Sequence, residues 1–277
     1  MKFMNMKKFF ISLIMLAVLA SCAKPYVIVQ IADAQLGFTA TDRYKAEGKE
    51  YEGDVAYEVK YLNEAIKMVN EIRPDAVIFT GDQVHNPGNS YEWSTFKTAV
   101  AAISKGIKVF NIPGNHDIYL GENEVNMEPF EERFGQGNFV YDNPDVKIVG
   151  LNTNFIKYSD PRENDQFEWL MGALKKKKGQ TTLIFGHHPF FLNEIDEGDG
   201  YFQIQKSKRQ TYFDLFSKND VDAVIAGHLH DSASGEYNGI PLYTSTSIAV
   251  QLGGSQPSIR LIKVDGGKVS TEFIPLP

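Results

Sequence analysis

Five short apolar runs in this chain each end in a small residue that is followed by side chains able to bind a metal ion. The run 109–112 shows the pattern most fully, because it stops at Pro113-Gly114 and then presents Asn115-His116-Asp117. In an open α/β sheet, functional residues follow the carboxyl ends of the strands. The alternative is an ordinary turn whose Asn and Asp side chains bond their own backbone. The candidate residues after the five runs are Asp33 and Gln35, Asp82, Asn115 and His116, His187 and His188, and His228 and His230.

The order of patterns along the chain predicts an α/β fold in one domain. Apolar residues recur at helical spacing between the runs, and a composition of 43% hydrophobic residues is enough for a substantial core. The stretch 38–53 is polar and is predicted to be a loop. Helices are predicted near 54–73, 93–104, 126–134, 165–176 and 209–216, and strands near 26–31, 76–80, 109–112, 146–151, 182–185, 223–226, 242–244, 259–264 and 269–274.

The N-terminus has the pattern of a secretory signal. Lys2, Lys7 and Lys8 precede an apolar run at 9–20 that is too short to span a bilayer, and Cys22, the only cysteine, follows small residues. This pattern resembles a bacterial lipobox. We therefore expect residues 1–21 to be a lipoprotein-type signal peptide and 22–277 to be the mature domain, lipid-anchored through Cys22 in the cell envelope and facing the periplasm; an ordinary cleaved signal is the alternative.

The charge balance argues against non-specific nucleic-acid binding. The formal net charge of −7 becomes −10 when three basic residues and no acidic ones leave with residues 1–21. A surface of that sign repels phosphate backbones. The basic run 175–178 follows a predicted helix, where cations favour the negative end of the helix dipole. Nucleic acid is thus expected only as a nucleotide substrate.

The histidines are concentrated at the predicted strand ends. Five of the six lie there, a distribution that structural histidines would not be expected to show. Carboxylate, imidazole and amide ligands without thiolates suit Mn, Fe or Zn in a catalytic site. Six or seven such ligands exceed what one tetrahedral ion takes, so we expect two divalent or trivalent ions. Two ions about 3.5–4 Å apart promote displacement at a phosphate ester.

The order of these motifs resembles the calcineurin-like metallophosphoesterase superfamily. The individual motifs are Asp33-x-Gln35, Gly81-Asp82, Gly114-Asn115-His116-Asp117, Gly186-His187-His188-Pro189 and Gly227-His228-Leu229-His230. Within the superfamily, the sequences 32–37, 114–118, 191–197, 201–202, 206–209 and 251–253 resemble the branch of calcineurin-like phosphoesterase domain-containing protein 1. The resemblance implies a four-layer α/β/β/α sandwich with mixed sheets and metal ligands at the carboxyl ends of strands.

The resemblance also implies a role for each motif residue. Asp82 would bridge two ions and His116 would protonate the leaving group, with Asp117 holding the His116 ring. One ion would be completed by Asp33 and His230, the other by Asn115, His187 and His228. His188, at the variable position of its motif, would either contact the ligands without binding an ion or be a ligand itself. His85 would either contact a phosphate or be an ordinary loop residue.

Two features of the sequence, Gln35 and the insert 193–209, allow more than one interpretation. Gln35 stands where the wider superfamily has a histidine, and a neutral amide oxygen is the weaker donor, so the first ion would be held less tightly. The polar insert 193–209 either surrounds the site or is only a solvated loop. In the first case Lys206, Lys208 and Arg209 would attract phosphates, and Tyr201 and Phe202 would offer an aromatic wall unless they are buried under the loop.

Three functions fit these patterns. The first is a phosphomonoesterase, similar to a protein phosphatase, and the second is a phosphodiesterase acting on a nucleotide or lipid headgroup. The third is a lipoprotein that binds phosphate ligands without turnover, which only Gln35 suggests. The presence of His116 and Asp117 favours an enzyme, because a pure binding protein needs no general acid.

Overall fold

The computed structural model describes residues 24–48, 54–121 and 124–277. The predicted signal peptide and Cys22 lie outside the described residues. The helices are α1 (Phe38–Ala46), α2 (Ala56–Ile72), α3 (Ser90–Val100), α4 (Glu128–Phe134), α5 (Thr153–Lys157), α6 (Glu163–Ala173) and α7 (Lys206–Lys218). The strands are β1 (Tyr26–Ile31), β2 (Ala76–Thr80), β3 (Lys108–Ile112), β4 (Tyr119–Leu120), β5 (Val125–Asn126), β6 (Phe139–Asp142), β7 (Val146–Gly150), β8 (Thr181–Phe185), β9 (Ala223–Ala226), β10 (Ala233–Tyr237), β11 (Ile240–Thr244), β12 (Ser258–Asp265) and β13 (Lys268–Pro275).

The strands form two mixed sheets and a small hairpin. The first sheet has the order β13-β12-β1-β2-β3, and the second has the order β10-β11-β9-β8-β7-β6. Strands β1, β2 and β3 are parallel to one another, as are β7, β8 and β9. Each sheet therefore brings the carboxyl ends of three neighbouring strands to one edge.

Three hydrophobic clusters give the layer order. Between the sheets, side chains of the first sheet such as Ile78 share a cluster with side chains of the second such as Leu183. On the outer face of the first sheet, Leu62 of α2 packs with Val77. On the outer face of the second, Phe213 of α7 belongs to the cluster of the strands β7, β8 and β9. The four-layer α/β/β/α sandwich is thus confirmed, and it follows from strands that are buried on both faces.

The predicted loop at 38–53 is wrong for its first part, because residues 38–46 form α1. The cause is a partner distant in sequence. The buried carboxylate of Glu58, on α2, accepts hydrogen bonds from the backbone N–H groups of Gly37 (3.3 Å) and Thr39 (2.8 Å) and from the Thr39 hydroxyl (2.6 Å). These bonds satisfy donors that a helix leaves free at its first turn, and no local sequence signal announces them.

The other predicted helices and strands overlap those of the structure. The sequence analysis does not predict β6 or β10, which are the two edge strands of the second sheet and have alternating exposure. Edge strands carry a weaker apolar signal because solvent replaces one neighbour. None of the helices within residues 24–48, 54–121 and 124–277 is long and apolar enough to cross a membrane.

Candidate metal centre

The predicted metal ligands lie at strand ends from both sheets. Loops after β1, β2 and β3 supply the oxygen donors, and loops after β8 and β9 supply the imidazoles. Every one of these side chains is buried, with at most 7% of its surface exposed. We call them, together with the adjacent His188, the strand-tip cluster: Asp33, Gln35, Asp82, Asn115, His187, His188, His228 and His230.

The backbone of this cluster is strained. Nine non-glycine residues of the described chain have a positive φ, and five of them belong to the cluster. This conformation is unfavourable for side chains other than glycine, and it is concentrated at functional sites. The five are Asp33 (54°), Gln35 (40°), Asp82 (51°), His228 (69°) and His230 (53°).

Two glycines allow the loops to approach each other. A Cβ added at Gly81, which has a φ of 93°, would collide with Nδ1 of His187 and with the backbone nitrogen of Gly114. A Cβ added at Gly114 would collide with the Asp82 side chain. Both positions therefore need glycine for space, and the first needs it for conformation as well.

His187 lies at the middle of the cluster. Its Nδ1 is 2.8 Å from the carbonyl oxygen of Thr80, an acceptor, so the tautomer of the neutral ring carries its hydrogen there. Its Nε2 then presents a lone pair that lies 3.4 Å from Oδ2 of Asp82 and 3.1 Å from Oδ1 of Asn115. In the neutral ring these three electron-pair donors face one another with no hydrogen between them, whereas in the protonated ring Nε2–H donates to Asp82, in the position where an ion would replace that proton.

Two further imidazoles adjoin His187. The rings of His188 and His228 have centroids 4.4 Å apart, and Nε2 of each is buried with no hydrogen-bond partner. Because unpaired buried nitrogens are unfavourable, each needs an explanation. Of the two roles open for His188, support of the ligands or ligation, the second is favoured, because one of its ring nitrogens lies within 4.8 Å of a donor atom of His187 and of His228.

Asp33, His230 and Gln35 form the other side of the cluster. Nδ1 of His230 is 2.7 Å from the carbonyl oxygen of Val250, which leaves its Nε2 3.6 Å from Oδ1 of Asp33. The Asp33 carboxylate also accepts hydrogen bonds from the backbone N–H of His228. The side-chain oxygen of Gln35 is buried without a partner, as a weak metal donor would be before it meets its ion.

Burial and proximity shift the protonation of the cluster. Burial opposes charge on His187, but the Asp82 and Asp33 carboxylates outweigh it and raise the pKa of His187 to about 9. Burial raises the pKa of Asp33 to about 6, despite the opposing effect of His230 and His187. Burial lowers the pKa of His188 and of His228 well below the usual range, so both rings are neutral and available as ligands.

The donor set fits metal ions. In each of two groups, one of Asp33, Asp82 and His187 and the other of His187, His188 and His228, one donor atom from every side chain lies within 4.8 Å of the others. The two groups share His187. The donors are imidazole, carboxylate and amide, the set preferred by Mn, Fe and Zn in catalytic sites. The unpaired atoms of Gln35, His188 and His228 are the independent observation that favours occupation.

His116 lies beside the cluster and is only partly buried. Its backbone N–H donates to Oδ1 of Asp82 (2.9 Å), and its Nδ1 is 3.0 Å from the carbonyl oxygen of His85. The carbonyl fixes a hydrogen on Nδ1 and leaves Nε2 for another partner. The His85 ring stacks on that of His116, with centroids 4.8 Å apart. His85 therefore holds the His116 ring with both its backbone and its side chain.

The expected role of Asp117 in holding the His116 ring is wrong in this structure. The Asp117 carboxylate is fully buried and accepts hydrogen bonds from the backbone N–H groups of Gln83 (2.8 Å), Val84 (3.2 Å) and Gly114 (2.7 Å). It thus fastens the loop after β2 to the loop after β3. The physical reason is that these N–H groups have no strand partner, and a carboxylate satisfies three of them at once.

The basic residues of the insert, which were expected either to attract phosphates or to belong to a solvated loop, are bonded within the protein. Arg209 is fully buried and donates to backbone carbonyls of residues 193–205, a segment that we call the rim loop. Lys206 donates to the carbonyl of Asp196, and Lys208 bonds Glu163 and the carbonyl of Ile156. Arg209 and Lys208 thus satisfy carbonyls that no strand pairs, whereas Lys206 is exposed and bonds a carbonyl of the rim loop.

The aromatic residues of the rim loop do reach the site. The Tyr201 and Phe202 rings lie 5.4 and 5.6 Å from that of His228, and Tyr201 is 66% exposed. Phe38, which the sequence analysis did not single out, lies 5.3 Å from the His85 ring and 6.2 Å from the His230 ring. Only the α1 helix brings Phe38 there, and no motif marks it.

Comparison with known proteins agrees with this geometry. The family model described as calcineurin-like phosphoesterase matches residues 26–232. The human serine/threonine-protein phosphatase CPPED1 is 27% identical over 270 residues, covering 91% of this chain and 84% of the relative. A probable glycerophosphodiester phosphodiesterase GpdQ of Arcobacter nitrofigilis is 29% identical over 236 residues, covering 82% of this chain and 80% of the relative.

Solved structures show the same fold. A dimetal phosphatase from Danio rerio superposes with a TM-score of 0.64 at 15% identity, covering 90% of this chain and 99% of that one. A purple acid phosphatase from yellow lupin superposes with a TM-score of 0.66 at 14% identity, covering 91% of this chain and 51% of that one. At these identities the likeness concerns the fold alone.

Proposed function

The chain belongs to the calcineurin-like phosphoesterase family, and from that premise we propose that this metallophosphoesterase hydrolyses phosphate monoesters in the cell envelope. The observation that carries the proposal is the position of His116 beside two groups of donor atoms that share His187. A monoester leaves as an alcohol that needs a proton, and His116 is the partly exposed acid next to the centre.

The strand-tip cluster would hold the ions. Asp82 would lie between them, with Asp33, Gln35 and His230 on one side and Asn115, His187 and His228 on the other. Bound ions supply hydroxide near neutral pH and offset the charge of the phosphoryl oxygens. The Nε2 atoms of His188 and His228 gain partners they otherwise lack.

The protein's own contribution to bond breaking is proton transfer and positioning. In the imidazolium form of His116, Nδ1–H donates to the His85 carbonyl and Nε2–H faces away from it. As the bond between phosphorus and the ester oxygen breaks, that oxygen takes the proton from Nε2. His85 stacking and the bond from the His116 backbone to Asp82 keep the ring in place, so little ordering is needed in the transition state.

A monoester substrate is favoured over a diester because the relatives named phosphatases match a larger share of this chain. The relatives named protein phosphatases cover 91% of this chain, whereas the relative named a glycerophosphodiester phosphodiesterase covers 82%. That second relative is the reason to keep phosphodiesterase as the alternative. We do not extend serine/threonine specificity to this chain, since an envelope presents other substrates.

The test compares two chromogenic esters. The purified protein, loaded in turn with Mn²⁺, Zn²⁺ and Fe²⁺, is assayed with p-nitrophenyl phosphate and bis-p-nitrophenyl phosphate. The proposal predicts a higher kcat/KM for the monoester. Preference for the diester would favour the phosphodiesterase. No hydrolysis of either ester with any metal would favour the binding lipoprotein that Gln35 suggests.

The envelope location rests on the pattern of residues 1–22. Membrane fractions of cells that express the wild type should contain the protein, and Cys22→Ala should release it, because the lipid is attached through the thiol. His116→Ala serves as the matched control and should stay with the membrane. Membrane association of Cys22→Ala equal to that of the wild type would contradict lipid anchoring.

A further inference from the structure

The rim loop places an exposed aromatic ring over the edge of the strand-tip cluster. The Tyr201 ring lies 5.4 Å from the His228 ring, with 35° between their planes, and Phe202 meets the same imidazole edge-on at 5.6 Å. The Tyr201 and Phe202 rings are nearly perpendicular to each other, with centroids 5.2 Å apart. Phe202 therefore packs against Tyr201, and both rings contact His228, a proposed metal ligand.

Tyr201 stays exposed where a purely structural ring would be covered. It is 66% exposed, more than any other large hydrophobic residue described as exposed. A large apolar surface left open beside a concave polar site is typical of a ligand contact.

The loop that carries Tyr201 is held at both ends of its turn. Arg209 donates to the carbonyls of Ile195 (3.1 Å), Glu197 (2.7 Å) and Ile204 (2.8 Å). On the opposite side, Lys157 donates to the carbonyls of Gly200 (3.0 Å) and Gln203 (2.6 Å), which flank the two aromatic residues. A ring fixed in this way loses little freedom when a ligand stacks on it.

The geometry points to Tyr201 as the residue that selects the leaving group: we propose that its ring forms one wall of the leaving-group site and favours phosphate esters of flat aromatic alcohols. This inference rests on the proposed monoesterase function and deepens it. The ring lies over His228, at the edge of the centre where the reacting phosphate would bind. A flat leaving group extending from that phosphate can stack on Tyr201, whereas a small aliphatic group leaves the ring in water.

Recognition by charge does not explain this side of the site. The cations nearest to Tyr201 in sequence are Lys206, Lys208 and Arg209, and each is bonded to carbonyls or to Glu163. These three cations are bonded within the protein, and the Tyr201 ring is the exposed apolar surface that the rim loop places beside His228. Stacking on one aromatic ring corresponds to about a three- to tenfold preference.

The experiment measures kcat/KM for phosphotyrosine and phosphoserine, two amino-acid monoesters of equal charge. The ratio of the two values cancels effects of the metal centre, and comparison between variants cancels the different reactivity of the two esters. Tyr201→Ala should lower the phosphotyrosine to phosphoserine ratio about three- to tenfold, mainly through a higher KM for phosphotyrosine. Tyr201→Phe, which keeps the ring, should preserve the ratio.

Controls separate this inference from its premise. Met171→Ala changes an exposed apolar residue of α6 (44% exposed) and should leave the ratio unaltered. If the wild type is active and the phosphotyrosine to phosphoserine ratio is unchanged in Tyr201→Ala, only the role of Tyr201 is overturned. The same holds if Tyr201→Phe lowers the ratio as much as Tyr201→Ala does. A wild type that hydrolyses neither ester with any metal overturns the proposed function and this inference together.

Discussion

The strand-tip cluster leaves buried side-chain atoms without a hydrogen-bond partner, whereas backbone carbonyls of the rim loop accept hydrogen bonds from a buried side chain. In the cluster, the Gln35 oxygen and Nε2 of His188 and His228 are buried without a hydrogen-bond partner. At the rim loop, by contrast, the buried guanidinium of Arg209, on α7, donates to several backbone carbonyls of the loop. Leaving a buried polar atom unpaired costs about 1–3 kcal/mol. Other buried oxygens of the described residues also have no partner, including Oε1 of Gln205 in the rim loop, but the only two nitrogens in this state there are Nε2 of His188 and of His228.

Backbone strain shows the same contrast. Five residues of the cluster have a positive φ, and no residue of the rim loop does. Strain and unpaired atoms thus coincide at the strand ends, where ions would bind. Two cations of α7, Lys206 and Arg209, donate to carbonyls of the rim loop. The difference shows that a charged residue near a site belongs to the site only if its polar atoms remain available.

The largest effect is expected when the shared carboxylate is removed. Asp82→Asn replaces the negative charge that both ions need, so both should be lost and kcat/KM should fall at least about 10³-fold. Elemental analysis of the purified variant tests this, with Asp231→Asn as a control because Asp231 bonds its own loop. Retention of two ions by Asp82→Asn would contradict the bridging position.

Removal of the proposed proton donor, His116, should lower turnover without changing metal binding. His116→Ala leaves the strand-tip cluster intact but deletes the proton donor, so kcat should fall roughly 10²–10⁴-fold while the metal content is unchanged. Steady-state kinetics and elemental analysis of the same preparation measure both. A variant that loses metal along with activity would show that His116 is a ligand and not the acid.

Removal of the Arg209 guanidinium, which donates to the rim loop, should lower the stability of the protein without changing its metal binding. Arg209→Gln leaves several buried carbonyls without their donor, so the free energy of unfolding should fall by about 2–4 kcal/mol. Urea denaturation measures the change, and Lys178→Gln, at an exposed position, is the matched control. Loss of metal in a folded Arg209→Gln would break the distinction between the two regions.

Metal affinity of the cluster should depend on pH through His187. Because the pKa of His187 is raised to about 9, an ion must displace a proton at neutral pH. Affinity should therefore rise about tenfold per pH unit between pH 7 and 8.5. The dependence should steepen below about pH 6, where Asp33 also holds a proton. Competition titrations with a chelator measure it. A pH-independent affinity, or the same slope in His187→Gln, would contradict the assignment.

The smallest effect is expected at Gln35, which stands where the wider superfamily has a histidine. Gln35→His replaces a neutral amide oxygen with a stronger imidazole donor, so the first ion should bind more tightly, by roughly tenfold or less. The same titration measures this, with Gln136→His, at an exposed position, as the control. Equal affinity in Gln35→His and the wild type would show that Gln35 is not a ligand.

The strand ends could be predicted from the sequence because their signal is local. An apolar run followed by glycine and a metal-competent residue is visible at each of Asp82, Asn115, His187 and His228, and the topology brings such ends together. The family resemblance supplied the second sheet and the division of ligands between two ions, which the patterns alone do not give.

The remaining features depend on partners distant in sequence. The α1 helix relies on Glu58, the Asp117 carboxylate on N–H groups of two loops, and Arg209 on the carbonyls of the rim loop. In each case a charged side chain satisfies backbone groups that no strand pairs. The sequence shows the charge, but it does not show which backbone groups lack partners until the chain is folded.

The most direct test of the central claim is the number of metal ions bound by the purified wild-type protein. Elemental analysis after dialysis against buffer with a defined concentration of Mn, Fe or Zn measures it per chain. The account predicts two ions, because the donor atoms at the strand ends lie on two sides of Asp82 and a carboxylate can serve both. One ion or none under all three metals would contradict a two-metal centre in this chain.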